Sequence, residues 1–305
     1  MTLTVRFMDF PKAFNPLNNY ILRLLAAVAG KDVLVLQDSK TTVDLEFSSN
    51  FIQDSHVSRM RSRLAAEFST PAMTEYEEKW VWGFRTRFSS KARKRIWCSG
   101  ENLRPPLEYF DGTMSFNPTD PLLNNVFFPY WMHRLNWFDD SRYFEISPRP
   151  NELVVAREPI RRELNICTFS SKFEPGRERI IKALPSRLDF QGFGIQYSKP
   201  VESKFATSSK FGLQICSEND LYPNYVTEKL IEAWYARCVP VWAGLDQRGF
   251  FNTEAFIDVT SLSTLEILSR LEEISIEEIM HIQSQPILRQ TPDLTEVMSF
   301  LNRYI

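Results

Sequence analysis

The stretch at residues 218–244 constrains the fold of this chain more than any other. It opens with a polar cluster and closes with an apolar run at residues 239–242. Between them, four apolar residues recur at the spacing that gives a helix one apolar face: Leu230, Ile231, Trp234 and Tyr235. The stretch therefore predicts a helix that leads into a buried strand, with Thr227, Glu228 and Lys229 in the first turn of the helix.

Lys229 lies at the end of this helix that does not normally favour a cation. The backbone dipole is negative at the C-terminus of a helix, and the unpaired N–H groups of the N-terminus attract anions. A lysine there fits a site in which a diphosphate lies at the helix start and the amine neutralises it. A second interpretation stays open, in which Thr227 caps the helix, Glu228 favours the dipole and Lys229 is solvated.

Several residues keep a fixed spacing through the whole stretch: Glu218-Asn219, Tyr225-Val226-Thr227-Glu228-Lys229, Ala233, Val239-Pro240-Val241 and Gly244. This pattern resembles the donor-binding signature of the alpha-1,3/alpha-1,4-fucosyltransferase family, and its length makes it more specific than a short glycine motif. One residue departs from the family, which usually has an aromatic residue immediately before the Glu-Asn pair. Here that residue is Ser217, so we expect different packing beneath the nucleotide sugar.

The composition is that of an ordinary globular protein with room for two domains, since 305 residues include 43% hydrophobic and 24% charged residues. The 36 basic and 38 acidic residues give a net charge of -2, which leaves no electrostatic footprint for nucleic acid. The basic run at residues 91–95 is typical of a solvated face, and contact with an acidic surface or a phosphate stays open.

The four cysteines, Cys98, Cys167, Cys216 and Cys238, lie in or beside apolar runs without any CxxC spacing. We interpret them as reduced core residues, which suits a cytosolic protein. The three histidines have no companions at the spacing of metal ligands, so the sequence predicts no metal site.

The first 16 residues lack the charged and apolar regions of a signal peptide, and the apolar residues 21–30 are too few to span a bilayer. We therefore expect a cytoplasmic location, with at most peripheral membrane contact. Many eukaryotic members of the family carry an N-terminal anchor, so the resemblance implies a soluble bacterial or viral-type enzyme or a trimmed catalytic region.

In the first half of the chain, a strand at residues 2–7, a helix at 16–29 and a strand at 32–37 form a predicted βαβ unit. Residues 45–47 predict a short strand at the edge of the sheet. Residues 54–90 are left unassigned, and both core packing and an acceptor-binding insertion stay open.

Glu101 follows a predicted strand at residues 95–98, within the sequence Ser99-Gly100-Glu101-Asn102. Open α/β sheets place ligands and catalytic groups at the carboxyl ends of their strands. Taken alone, this segment is a weak motif, and a turn with a solvent-facing glutamate is the favoured interpretation. The resemblance matches it to the family segment whose glutamate is the proposed general base, and residues 111–116 and 127–130 continue that match.

Three prolines among charged residues at 147–159 predict a linker, and alternating strands and helices resume after it. The fold class that follows is α/β, with two Rossmann-like domains facing across a cleft in a GT-B architecture. We expect an acceptor-side domain at 1–150 and a GDP-fucose-binding domain at 151–305, with the last helix packing back on the first domain.

Arg177 is a second cation at a helix start, directly after Pro175-Gly176. One interpretation makes it a solvated arginine beside charged neighbours. The resemblance instead places it at an arginine that contacts the donor diphosphate, and a guanidinium suits bidentate phosphate recognition.

The resemblance implies an inverting enzyme of glycan biosynthesis and protein glycosylation, which moves L-fucose from GDP-fucose to a hydroxyl of a GlcNAc- or Glc-containing glycan. In it, Glu101 is the base, Arg177 and Lys229 hold the diphosphate without a metal or other cofactor, and three residues read hydroxyl groups of the nucleotide sugar: Asn219, Tyr225 and Glu228. Two alternatives stay open, a GT-B enzyme that uses another nucleotide sugar and an inactive glycan-binding relative. The acceptor sugar, the linkage and the oligomeric state do not follow from the sequence.

Overall fold

The computed structural model describes residues 2–10, 14–38, 40–49, 91–100, 110–138 and 144–305. Residues 54–90 and Glu101, which the sequence singles out, lie outside the described residues. Two compact units result, one of Met1–Pro129 with Leu294–Ile305 and one of Tyr130–Asp293.

The structural division falls earlier in the chain than the expected boundary at 150–151. Trp131 explains the difference, because its ring contacts the rings of Phe250 and Phe251 at centroid distances of 5.6 Å and 5.4 Å. The backbone N–H of Leu288 also donates to the carbonyl of Leu153 at 2.9 Å. Residues on both sides of the proline-rich segment therefore pack within the second unit.

The first unit contains one parallel sheet of six strands among the described residues. The strands are β1 Leu3–Met8, β2 Val33–Val35, β3 Val43–Ser48, β4 Ala92–Cys98, β5 Gly112–Ser115 and β6 Asn125–Phe127, in the order β2-β1-β3-β4-β5-β6. The expectation of an edge strand at 45–47 is wrong, because β3 pairs with β1 on one side and β4 on the other. Val43, Leu45 and Phe47 are fully buried, as a central strand requires.

The described helices are α1 Tyr20–Ala29, α2 Tyr130–His133, α3 Pro175–Lys182, α4 Lys204–Ser208, α5 Lys229–Tyr235, α6 Thr264–Glu272, α7 Ile276–Ser284 and α8 Thr295–Asn302. Short 3-10 turns occur at Pro150–Val154, Ile195–Tyr197 and Thr253–Ala255. Helix α1 begins later than predicted because the Asn19 side chain caps it, accepting a 3.1 Å hydrogen bond from the Leu22 N–H. Helix α8 packs against α1 and β6 in the first unit.

The second unit contains a parallel sheet of five strands, β7 Asn165–Phe169, β8 Asp189–Phe193, β9 Leu213–Ser217, β10 Val239–Ala243 and β11 Ile257–Asp258. Their order is β11-β10-β9-β7-β8, so the chain reverses its direction of growth between β7 and β9. Open α/β sheets bind ligands outside the carboxyl ends of the strands at such a switch point. The two parallel sheets confirm the expected α/β class. The switch point predicts that a ligand site of this unit lies at the carboxyl ends of β7 and β9.

All four cysteines are free and buried, in agreement with the prediction of reduced core residues. Within the described ranges, no helix is both long enough and apolar enough to cross a membrane.

Candidate functional site

The candidate site lies in the second unit, where the chain leaves the carboxyl ends of β7 and β9. Ser170 directly follows β7, and the loop after it leads to Arg177 in the first turn of α3. Glu218 directly follows β9, and the loop after it leads to Lys229, the first residue of α5. The switch point of the sheet thus brings together two segments that are distant in sequence.

Glu218 is a buried carboxylate that organises the loop after β9. Its oxygens accept hydrogen bonds from the Thr227 N–H at 2.9 Å, the Thr227 hydroxyl at 2.8 Å and the Lys229 ammonium at 2.9 Å. Lys229 Nζ also lies 3.1 Å from Thr227 Oγ1. Because a carboxylate in a low-dielectric interior needs several such bonds, the loop and the amine are held in one arrangement.

The interpretation of Lys229 as a solvated lysine is wrong. Its side chain is 21% exposed and paired with Glu218. Thr227 does not cap α5 through its side chain, since its hydroxyl donates to Glu218 and the helix starts two residues later, at Lys229. Burial alone would lower the pKa of Lys229, but the carboxylates of Glu218 and Glu228 raise it above its ordinary value. The amine therefore carries its positive charge throughout the neutral range.

Gly244 permits the close packing around Glu218. A Cβ atom at this position would lie 2.5 Å from the Trp242 ring and 2.9 Å from Glu218 Cγ. Both contacts are too short for any residue other than glycine without a shift of the buried carboxylate. Gly244, which ends the signature, is thus explained by the Glu218 side chain.

Glu174 is the second organising carboxylate. It caps α3 by accepting hydrogen bonds from the Gly176 N–H at 2.9 Å and the Arg177 N–H at 2.8 Å. The Ser217 hydroxyl donates to it at 3.0 Å from the end of β9. Ser217, which stands where the family usually has an aromatic residue, therefore ties the two loops of the site together.

The Arg177 guanidinium is buried without a counterion in the part of the chain that the structure describes. The residue is 4% exposed, and Nη1 donates to the Ser170 hydroxyl at 2.6 Å, while Nε has no hydrogen-bond partner among the described residues. By contrast, the fully buried Arg6 of the first unit pairs with Glu46 at 3.2 Å. The interpretation of Arg177 as a solvated arginine is wrong, and a buried cation without a carboxylate favours an anionic ligand.

Arg177, Glu228 and Lys229 line one small cavity of about 50 Å³, together with Lys204 and Glu232. This volume is comparable to one or two water molecules. It therefore matches a small anionic group rather than a whole nucleotide sugar, the rest of which would have to lie outside the cavity.

The carboxylates of the cavity are held by neighbouring cations. Burial would raise the pKa of Glu228, but Lys229, Arg134 and Lys204 lower it below its ordinary value. Arg134 Nη2 lies 2.5 Å from Glu232, whose pKa is raised by burial and by the charge of Glu228. Glu228 is therefore ionised at neutral pH and available to accept hydrogen bonds.

Asn219 and Tyr225 lie on the same loop but are not among the residues that line this cavity. Asn219 is half-buried and Tyr225 is buried. Their proposed contacts with a nucleotide sugar stay predictions, as does the approach of Glu101 to Arg177 and Lys229.

The sequence did not reveal that Glu218, Glu174 and Ser170 accept the hydrogen bonds that hold Lys229 and Arg177 in place. For Glu174 a local signal existed, since an acidic residue before proline is typical of a helix start. No cluster of three or more histidine, cysteine or carboxylate side chains suited to a metal occurs within the described ranges. Independence from metals stays a prediction.

Structural comparison identifies the class of fold. The chain is similar to a solved alpha1,3-fucosyltransferase with a TM-score of 0.66 at 16% identity, over 99% of this chain and 90% of the other. Structures of alpha1,3-fucosyltransferase with GDP-fucose and with GDP match over the same shares at 16% identity, with TM-scores of 0.65 and 0.67. The fold is that of GT-B glycosyltransferases.

Sequence comparison finds similarity to fucosyltransferases. Residues 160–282 match the C-terminal domain of glycosyltransferase family 10 (fucosyltransferase). The chain is 26% identical over 205 residues to an alpha-(1,3)-fucosyltransferase of Helicobacter pylori, which covers 57% of this chain and 42% of the relative. It is 25% identical over 213 residues to a 4-galactosyl-N-acetylglucosaminide 3-alpha-L-fucosyltransferase of Hylobates lar, at 67% and 50% coverage.

Residues 160–282, which include the signature at residues 218–244, are thus similar to the C-terminal domain of family 10 fucosyltransferases. The matches span 42% and 50% of those two curated relatives, about half of their length.

We predict that Glu218 and Lys229 are energetically coupled. A double-mutant cycle with Glu218→Gln and Lys229→Met should give a coupling free energy of about 1–3 kcal/mol in urea unfolding, because either single change leaves a buried partner without its counterpart. Since the pKa of Lys229 is raised, the coupling should be complete at pH 7 and pH 9 and should be lost only as the pH rises above the ordinary value of 10.5.

The surface pair Arg270 and Glu278 provides the matched control, because its side chains are 33% and 37% exposed. The same cycle there should give about 0–1 kcal/mol. Equal coupling in the two cycles would contradict the role assigned to Glu218.

Proposed function

We propose that the protein transfers L-fucose from GDP-fucose to a hydroxyl of a GlcNAc- or Glc-containing glycan, with inversion at the anomeric carbon. The match of residues 160–282 to the C-terminal domain of glycosyltransferase family 10 (fucosyltransferase) supports the reaction class. The names of the relatives from Helicobacter pylori and Hylobates lar support fucose as the transferred sugar and, for the second, a galactosyl-N-acetylglucosaminide acceptor.

The observation that carries the proposal is the pair of cations at the switch point. Arg177 is buried without a carboxylate partner among the described residues, and Lys229 lines the same cavity. Their positive charges act on each other, since Arg177 opposes protonation of Lys229. A diphosphate would supply the negative charge that Arg177 lacks and would also contact Lys229, whose other side is paired with Glu218.

In the proposed reaction, Glu101 removes the proton from the acceptor hydroxyl, which attacks the anomeric carbon on the face opposite the nucleotide. The bond to the diphosphate breaks, and negative charge grows on the leaving oxygens. Fixed cations aimed at that charge stabilise the transition state more than the ground state. Lys229 and Arg177 take this role, because buried carboxylates and caps fix their positions before substrate binds.

Glu228 is proposed to accept hydrogen bonds from hydroxyl groups of the fucose or the ribose. Its lowered pKa supports this role, since an ionised carboxylate is an acceptor only. Asn219 and Tyr225 are proposed to read further hydroxyl groups from the same loop. Cytoplasmic location, a role in protein glycosylation and independence from metals remain part of the proposal.

We predict that Lys229→Ala and Arg177→Met each weaken GDP binding roughly 10- to 100-fold in calorimetry, the effect expected for a lost charge-assisted hydrogen bond. The exposed Lys182 of α3 gives a matched control, and Lys182→Ala should change the affinity less than about twofold. GDP-fucose should bind more tightly than UDP-GlcNAc or GDP-mannose. A preference for the uracil nucleotide would favour an enzyme that uses another nucleotide sugar.

We predict that Glu101→Gln lowers the rate of fucosyl transfer roughly 10²- to 10⁴-fold, because the amide cannot accept the acceptor proton. Affinity for GDP-fucose should stay unchanged, since the proposed role is in proton transfer. The assay uses a galactosyl-N-acetylglucosaminide acceptor, with Glu273→Gln on an exposed surface as the control. Full activity of Glu101→Gln, with the control also active, would rule out Glu101 as the base.

A further inference from the structure

An open groove of about 700 Å³ lies in the second unit at the end of α5 opposite Lys229. Its walls come from three segments: the residues between Asn151 and Arg162, the helix α4 with the residue after it, and the residues from Trp234 to Arg237 at the end of α5. Pockets of 300–1,000 Å³ are typical of small-molecule sites. Nothing in the proposed fucosyl transfer uses this groove.

Three guanidinium groups line the groove, from Arg157, Arg162 and Arg237. None of them pairs with a carboxylate of the described residues, although Glu152 also lines the groove. Arg157 Nη2 donates to the Trp234 carbonyl, and Arg237 Nη1 donates to the Glu158 carbonyl. The Nε atoms of Arg157 and Arg162 are buried, and neither has a hydrogen-bond partner in the part of the chain that the structure describes. Among the described residues, the groove therefore contains both N–H groups without acceptors and positive charges without a carboxylate partner.

The guanidinium of Arg157 lies in surroundings that disfavour its positive charge. Its guanidinium stacks on the Trp234 ring, with 3.2 Å from the central carbon to the ring centroid. Burial and the like charge of Arg237 lower the pKa of Arg157 to about 9, and Tyr235 opposes this only in part. A bound anion would offset both effects on the pKa, because its negative charge favours the charged guanidinium.

Arg237 occupies a backbone position that glycine takes at the lowest cost. It follows α5 with a φ of 62°, in the left-handed region, where a helix commonly ends at glycine. The arginine at this position fixes the Glu158 carbonyl and adds a positive charge at the wall of the groove.

The lining also includes apolar side chains that are open to solvent. Val155, Ile160 and Phe205 are all exposed, and the Phe205 ring contacts the Tyr235 ring at a centroid distance of 6.0 Å. Guanidinium groups prefer phosphate and carboxylate oxygens, which they can bind in pairs. An amphipathic anion would satisfy the arginines and cover the apolar wall together.

We propose that this groove binds a phosphate ester that carries an apolar group, with the phosphate on Arg157, Arg162 and Arg237 and the apolar group against Val155, Ile160 and Phe205. Such an ester has two sources, a soluble molecule or the headgroup of an anionic lipid. The proposal does not depend on the fucosyltransferase activity, because no residue of the groove belongs to the site at Lys229.

The test compares two neighbouring arginines. Arg162 lines the groove and loses no described hydrogen bond when it is changed, whereas Arg161 is absent from the lining and pairs with Glu277 at 3.5 Å on the surface. Arg162→Gln and Arg161→Gln each remove one positive charge. Both are made in the Lys229→Ala background, so that the candidate site at the switch point contributes little. Calorimetry then measures binding of phenyl phosphate and of inorganic phosphate.

We expect Arg162→Gln to weaken phenyl phosphate binding roughly 5- to 10-fold, because it removes a charge-assisted hydrogen bond that solvent partly screens. Arg161→Gln should change the affinity less than about twofold. Glu152→Gln should strengthen binding, because it removes the negative charge from the lining. Inorganic phosphate should bind more weakly than phenyl phosphate, since it lacks the apolar group.

The same variants are then sedimented with vesicles of phosphatidylcholine, with and without phosphatidylglycerol. One outcome is that the protein binds vesicles only when phosphatidylglycerol and Arg162 are both present, and does not bind phenyl phosphate. This result supports the proposal, with a lipid headgroup as the ligand of the groove. The proposal is overturned if neither probe binds, or if Arg161→Gln and Arg162→Gln have equal effects, because general surface charge would then account for the binding.

Discussion

The candidate site depends on the carboxylate of Glu218, which is buried at the end of a central strand and accepts three hydrogen bonds from the loop that follows. A buried carboxylate with fewer bonds would destabilise the fold, so the loop has to bring Thr227 and Lys229 to it. The position of the Lys229 amine is thereby set by the folding of the second unit. Glu174 fixes the backbone of Arg177 through the cap of α3, and the Ser170 hydroxyl accepts from its guanidinium.

The two cations differ in how far their charge is compensated. Lys229 has Glu218 behind it, whereas the guanidinium of Arg177 has a hydroxyl and no carboxylate among the described residues. Elsewhere the chain compensates such a group, as Glu46 does for Arg6. An uncompensated buried charge costs stability, and binding sites are where proteins retain it. The energetic cost of holding Arg177 is consistent with a site prepared for an anion.

Much of the fold was predictable because parallel strands buried on both faces leave apolar runs of distinct length. The predicted strands at 2–7 and 239–242 became β1 Leu3–Met8 and β10 Val239–Ala243. The pattern could not give the order of strands, and so the run at 45–47 was placed at an edge when it belongs to the centre. Short elements such as β6 Asn125–Phe127 carry too few residues for any periodicity.

The cations of the site were predictable for a different reason. Lys229 and Arg177 stand at helix starts, where a positive charge conflicts with the dipole, and a conflict of local rules marks a functional position. Their supporting carboxylates could not be found in this way. Arg134 contacts Glu232 across 98 residues of sequence. Glu218 turns inward and packs beside Gly244, a contact that no local sequence pattern indicates.

The most direct test of this account is a crystal structure of the protein with GDP. The account predicts that diphosphate oxygens lie within about 3.2 Å of both Lys229 Nζ and an Arg177 guanidinium nitrogen, with the contact of Lys229 to Glu218 kept. GDP bound with its diphosphate away from both cations would contradict it, as would an Arg177 that turns to a carboxylate of its own chain when the nucleotide is present.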